Sequence, residues 1–114
     1  MKTIVGRKNV LKLWVAALRS GKYKKCKGEL RKGNKFCVLG VLCDLHRKHG
    51  PIKDRAKWAK EDGGNSYSYG DLFFSAPRCA EKWASINCYG ELSYNNDDDG
   101  SSFKQLAKKI ERMI

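Results

Sequence analysis

No stretch of this 114-residue chain approaches the ~18 consecutive apolar residues that a membrane-spanning helix needs, so a transmembrane span is excluded. The five cysteines, at 26, 37, 43, 79 and 88, include no C-x-x-C pair, which removes the usual zinc-ribbon and redox-motif readings. Their odd number leaves one over in any intramolecular pairing, and the set suits a reducing cytosol. Met1 to Arg7 leads into an amphipathic pattern carrying Lys8 and Lys12, not into a continuous apolar segment, so a secretory leader is not expected. There is no P-loop, no G-x-G-x-x-G and no G-x-S-x-G, and there are only two histidines, His46 and His49. Acid is scarce in one half: residues 1 to 60 hold 18 Lys/Arg against 3 Asp/Glu, whereas residues 61 to 114 hold 6 against 9.

That asymmetry defines what is present. A net charge of +12 with 41% hydrophobic and 11% aromatic residues is too apolar for a disordered basic tail, and the length allows one modest core. A single domain over residues 1–114 is expected, with a first half that attracts anions: nucleic acid, anionic lipid or a phosphorylated small molecule. The bland alternative is a solvated surface that only aids solubility.

The fold class expected is α+β, with about four helices and a basic β-hairpin around a buried central helix. Asn9 is a candidate N-cap for a first helix whose buried face is Val10, Leu11, Trp14, Val15 and Leu18, stopped by Gly21. Residues 22 to 35 alternate long polar with small or apolar side chains, and "KGN" at 32–34 marks a turn, so strands are expected near 23–30 and 35–38. The run "FCVLGVLCDL" at 36–45 is apolar on nearly all sides and reads as the central helix, ending at Gly50 with Arg47, Lys48 and His49 suited to its negative pole. Gly40 within it should admit a close neighbour such as the first helix. Residues 51–75 read as a loop or short exposed hairpin, with Leu72, Phe73 and Phe74 returning to the core. A short helix follows Pro77 and carries Cys79, Trp83 and Ile86. A last helix begins at Ser101 or Ser102, with Phe103, Leu106, Ala107, Ile110 and Met113 as its buried stripe.

Chemistry is harder to find. Cys37 stands where a helix N-terminus lowers a thiol pKa, but both histidines lie further along the same helix and cannot serve it as a base. Cys43, His46 and His49 do not converge on one helix face. Asn95, Asp97, Asp99 and Gly100 imitate the start of an EF-hand loop, yet its twelfth position falls on Leu106, and helix capping accounts better for the acids. No catalytic residue, metal or cofactor is therefore expected.

A binding surface is expected instead. Lys22, Lys24, Lys25, Lys27, Arg31, Lys32 and Lys35 crowd fourteen residues with Glu29 as the only acid, a repulsion that calls for an anion or full exposure. Tyr23 either stacks on a base or packs across strands. Candidate ligand-binding residues are Tyr23, Lys24, Lys25, Lys27, Arg31, Lys35, Tyr67 and Tyr69. Asp44, a carboxylate in an apolar helix, either orients Arg31 or Lys25 towards the ligand or forms a plain ion pair with a hairpin cation.

The order "W..ALRSGKYK" from Trp14, "FCVLGVLCDL", a Trp-containing helix, then an Asn/Asp-rich turn before "SF..LA..IE" resembles a family of small uncharacterised proteins encoded by tailed bacteriophages. The resemblance runs from about Trp14 to Glu111. Val38 stands where that family often has a second cysteine, and "NNDDDG" is about one residue longer than its usual turn. Membership would imply a phage accessory protein in the host cytoplasm, acting in host takeover or against defence. The function expected on this basis is sequestration, without catalysis, of a phosphate-bearing small molecule such as a nucleotide immune signal. Oligomerisation would complete its pocket. The alternatives are nucleic-acid binding through the same surface and direct inhibition of a host defence protein.

Overall fold

The computed structural model describes residues 3–26, 29–73, 76–86 and 102–114. Among these, four α-helices and a five-stranded mixed sheet make an α+β fold: α1 Arg7–Arg19, β1 Lys24–Lys25, β2 Arg31–Lys32, β3 Lys35–Phe36, α2 Val38–His49, β4 Trp58–Lys60, β5 Ser66–Tyr69, α3 Arg78–Ala84 and α4 Phe103–Glu111. One continuous apolar core unites helices and sheet.

The core is built from the helical stripes that the sequence displays. Val10, Leu11, Trp14, Val15 and Leu18 of α1 are buried, and Trp14 donates its indole N–H to the Val38 carbonyl at 3.0 Å, tying α1 to the start of α2. Leu106, Ala107 and Ile110 of α4 are fully buried and Phe103 and Met113 partly so. Burying each large aliphatic side chain contributes ~1.5–3 kcal/mol, so α4 is held chiefly by its stripe against α1, with the Arg19–Glu111 ion pair at the margin. Ser102 starts α4 with a reciprocal capping box to Gln105.

Helix α1 begins at Arg7 with Gly6 as its N-cap, three residues before the expected cap Asn9. Gly6, at φ +95°, turns the chain into the helix and its carbonyl accepts the first helical bond from Val10, while Asn9 bonds back to the Val5 carbonyl. Helix α2 begins two residues later than Phe36: Cys37 is its N-cap, the thiol accepting the Gly40 N–H at 3.3 Å. Phe36 is spent in β3. The close neighbour of Gly40 is the backbone of Leu30, not α1; a Cβ there would lie 1.8 Å from the Leu30 carbonyl oxygen.

The basic hairpin is tighter than expected. Its strands are β2 and β3, joined by Gly33–Asn34, with Gly33 at φ +58° supplying the positive φ that a two-residue turn requires. Residues 24–25 are not part of it; they pair parallel to β3 as a sheet edge. The order is β1-β3-β2-β5-β4, and β4 and β5 form the second hairpin within the long connection. Register then sorts the side chains. Lys25, Phe36, Arg31, Tyr67 and Lys60 are cross-strand neighbours in one row, and Lys24, Lys35, Lys32 and Ser66 in the next. Since alternate residues point to opposite faces, one face carries Phe36, Arg31, Tyr67, Tyr69 and Trp58, and the other carries a ladder of three exposed lysines. Leu72 does not return to the core: after the Gly70–Asp71 turn, where both residues have positive φ, it is 39% exposed.

Candidate functional site

Asp44 sits on α2 with its carboxylate almost wholly enclosed, and an enclosed carboxylate needs donors. It has them on every side. Oδ2 accepts the Tyr23 hydroxyl at 2.5 Å and faces Lys48 Nζ at 3.2 Å; Oδ1 accepts Trp58 Nε1 at 3.0 Å and Arg47 through Nε at 3.2 Å and Nη2 at 3.1 Å. Burial opposes the charged form, but the hydrogen bonds from Tyr23 and Trp58 and the charges of Lys48 and Arg47 outweigh it, holding the carboxyl below its ordinary range. The Tyr23 phenol is pushed up, by burial first and then by its bond to Asp44. Asp44 is thus saturated as an acceptor and serves to position cations. Those cations come from its own helix at i+3 and i+4, not from the hairpin, and Arg31 and Lys25 are not its partners.

A cleft of about 390 Å³ opens over this hub, lined by Lys22, Tyr23, Arg31, Asn34, Phe36, Asp44, Arg47 and Lys48. Four cations against one carboxylate leave it with a surplus of three positive charges. Arg31 reaches it because β2 lies between β3 and β5: its guanidinium stands 4.0 Å from the Tyr67 ring centre, 5.0 Å from Phe36 and 5.4 Å from Trp58, and its Nε–H donates to the Gly33 carbonyl at 2.8 Å. Phe36 meets Tyr23 edge to face at 5.1 Å. A continuous path therefore runs from Arg31 through Phe36 and Tyr23 to Asp44, Arg47 and Lys48.

Of the residues that the sequence nominates, Tyr23, Arg31 and Asp44 line the cleft, and Tyr67 supports Arg31 from behind. Tyr23 packs on Phe36, as its packing reading has it, and is half-buried where it lines the cleft. Lys24, Lys25 and Lys35 are not in the lining; Lys24 and Lys35 belong to the lysine ladder on the opposite face. Lys27 lies outside the described residues, as do Cys88 and the acidic cluster at 95–100. Tyr69 is no ligand platform. It is fully buried, takes the Ala56 N–H at 3.2 Å and lies 2.8 Å from His46 Nδ1.

The residues that the sequence does not nominate are Lys22, Asn34, Phe36, Arg47, Lys48 and, outside the lining, Trp58. A signal existed for three of them, because Lys22 belongs to the basic segment and Asp44, Arg47 and Lys48 stand at the i, i+3, i+4 spacing of helical ion pairs. Nothing in the sequence brings Trp58 to Asp44; that follows only from β4 pairing with β5. Cys37 and Cys43 are buried and His46 is enclosed without an Nε2 partner among the described residues, where no cluster of three or more His, Cys, Asp or Glu forms to hold a metal. Among those residues, no helix is long and apolar enough to cross a membrane.

No curated protein and no solved structure matches the chain. A family model does match residues 7–97, a span that contains every residue lining the cleft. On that match, the chain belongs to the family described as Domain of unknown function (DUF8296).

Proposed function

We propose that this protein binds a phosphate-bearing small molecule in the Asp44 cleft and releases it unchanged. The observation that carries this reading is the convergence of Lys22, Arg31, Arg47 and Lys48 on one concavity. Cations arranged around a concave site with aromatic walls suit a compact anion with a ring attached, such as a nucleotide. Asp44, with donors on both oxygens, is a poor general base, and its depressed pKa reinforces that. Sequestration without turnover is the activity this chemistry allows. The resemblance to tailed-phage proteins supports placing that activity in an infected host cell, where holding a nucleotide signal would blunt a defence response.

The lysine ladder favours a second reading. Lys24, Lys35 and Lys32 lie side by side on adjacent strands, roughly 4.8 Å apart, and all three are exposed. A flat row of cations suits the backbone of a nucleic acid. The two readings separate in one set of titrations. Incubation with a panel of linear and cyclic nucleotides, followed by denaturation, should return the bound species intact, and consumption of any of them would make the protein an enzyme. Duplex and single-stranded DNA titrated at several salt concentrations should show only weak binding; a steep log–log salt slope with tight binding would favour the ladder over the cleft.

A further inference from the structure

The cleft has two chemically different ends. At one, Arg47 and Lys48 are pinned by Asp44; at the other stand Arg31 and Asn34, with Tyr23 and Phe36 between and Lys22 also in the lining. Arg31 is held as a plane: its Nε–H is fixed on the Gly33 carbonyl and the guanidinium rests on the Tyr67 ring. It is half-buried and lines the cleft. A guanidinium plane backed by an aromatic ring is a stacking shelf for a nucleobase, and larger π-faces stack better. Beside it Asn34 occupies the second position of the β2–β3 turn, exposed, with no hydrogen-bond partner for its amide among the described residues. The turn needs positive φ only at Gly33, so the backbone does not require an asparagine there.

Size narrows the ligand further. About 390 Å³ lies at the small end of the range for ligand pockets, which spans roughly 300–1,000 Å³. That suits one nucleotide and not two. Resting on the cleft reading above, we propose that the ligand is an adenine mononucleotide. Its phosphate is taken by Arg47 and Lys48, its base is stacked on Arg31, and Asn34 is the residue that reads the base. An asparagine amide offers a donor and an acceptor side by side, the complement of the acceptor and donor that adenine presents at N7 and N6; guanine presents two acceptors at the same edge.

The test measures binding of 5′-AMP, 5′-GMP, 5′-UMP, ribose 5-phosphate and inorganic phosphate by calorimetry, for the wild type and for Asn34→Ala and Arg31→Lys. The wild type should hold AMP about tenfold or more tighter than GMP or UMP. Asn34→Ala should bring AMP to the level of GMP, and Arg31→Lys, which keeps the charge but removes the plane, should bring AMP towards ribose 5-phosphate. Asn34→Ala should alter ribose 5-phosphate affinity by no more than about twofold, since that probe has no base for the amide to read. If the phosphates bind without base preference, or if Asn34→Ala leaves the AMP-to-GMP ratio intact, the assignment of Asn34 is wrong and the cleft reading stands. Should none of the five probes bind, both fall.

Discussion

At the scale of single residues the site depends on Asp44. Replacing it with asparagine removes the charge that Arg47 and Lys48 answer while keeping the shape, and breaking an enclosed pair typically costs ~3–5 kcal/mol. Because Arg47 and Lys48 are partly solvated, at 39% and 30% side-chain exposure, Asp44→Asn should destabilise by about 3 kcal/mol, the low end, in urea unfolding. Ultraviolet titration should show the Tyr23 phenol moving down, yet staying above its ordinary value, since burial is the larger cause of its elevation. An unchanged Tyr23 titration would mean the two groups do not touch.

His46 makes a separate prediction. Burial lowers its imidazole pKa, with Asp54 opposing and Arg55 assisting, so the unfolded chain takes up the proton first as pH falls. Its contribution to stability is complete above the ordinary value of 6.5 and is lost as pH drops from there through the folded-state pKa. His46→Gln should flatten that acid limb whatever its effect at neutral pH; equal slopes in the two proteins would contradict the assignment. A carboxylate in an apolar helix was legible as a residue in need of partners. Which partners it has was not, because Arg47 and Lys48 also satisfy the helix dipole, and that explanation is complete without Asp44.

At the scale of elements, α2 is seated on the β2–β3 hairpin by a missing side chain. Alanine would ordinarily strengthen a helix by ~1 kcal/mol over glycine, but at position 40 its Cβ would meet the Leu30 carbonyl, which is backbone and already accepts the Cys37 N–H at 3.0 Å. Gly40→Ala should therefore destabilise by at least about 2 kcal/mol, and a neutral result would show that the hairpin can retreat. The lysine ladder predicts the opposite sign. Lys35 is flanked by Lys24 and Lys32, so Lys35→Glu exchanges two like-charge neighbours for two opposite ones and should raise stability by roughly 1 kcal/mol, a gain that shrinks in salt. A loss would mean that the ladder is already neutralised.

Helices α1, α3 and α4 were legible to within a turn because amphipathic stripes and caps are local signals. The sheet was legible only as turn positions. Lys24 and Lys25 look like hairpin residues because basic residues recur from Lys22 to Lys35, and no local feature reveals that β1 runs parallel to β3. Register is a long-range property, and it decides which cations face the cleft.

For the whole molecule, a local excess of positive charge was plain in the sequence, but its partition between a cleft and a flat ladder was not. The cleft's four cations are drawn from the segment before β1, from β2 and from the last turn of α2, and only the packing of α2 on the sheet assembles them. The central claim is that this assembled set, and not the total basic charge, binds the ligand. The direct measurement is equilibrium dialysis of a nucleotide panel against two double variants of equal charge change in the lysine count. Lys22→Glu with Lys48→Gln alters the cleft, and Lys24→Glu with Lys32→Gln alters the ladder. The first pair should weaken nucleotide binding by about a hundredfold or more, on the basis of ~1.5–3 kcal/mol per charge-assisted contact, and the second should change it by less than about threefold. Equal losses in both pairs, or a loss confined to the ladder pair, would contradict it.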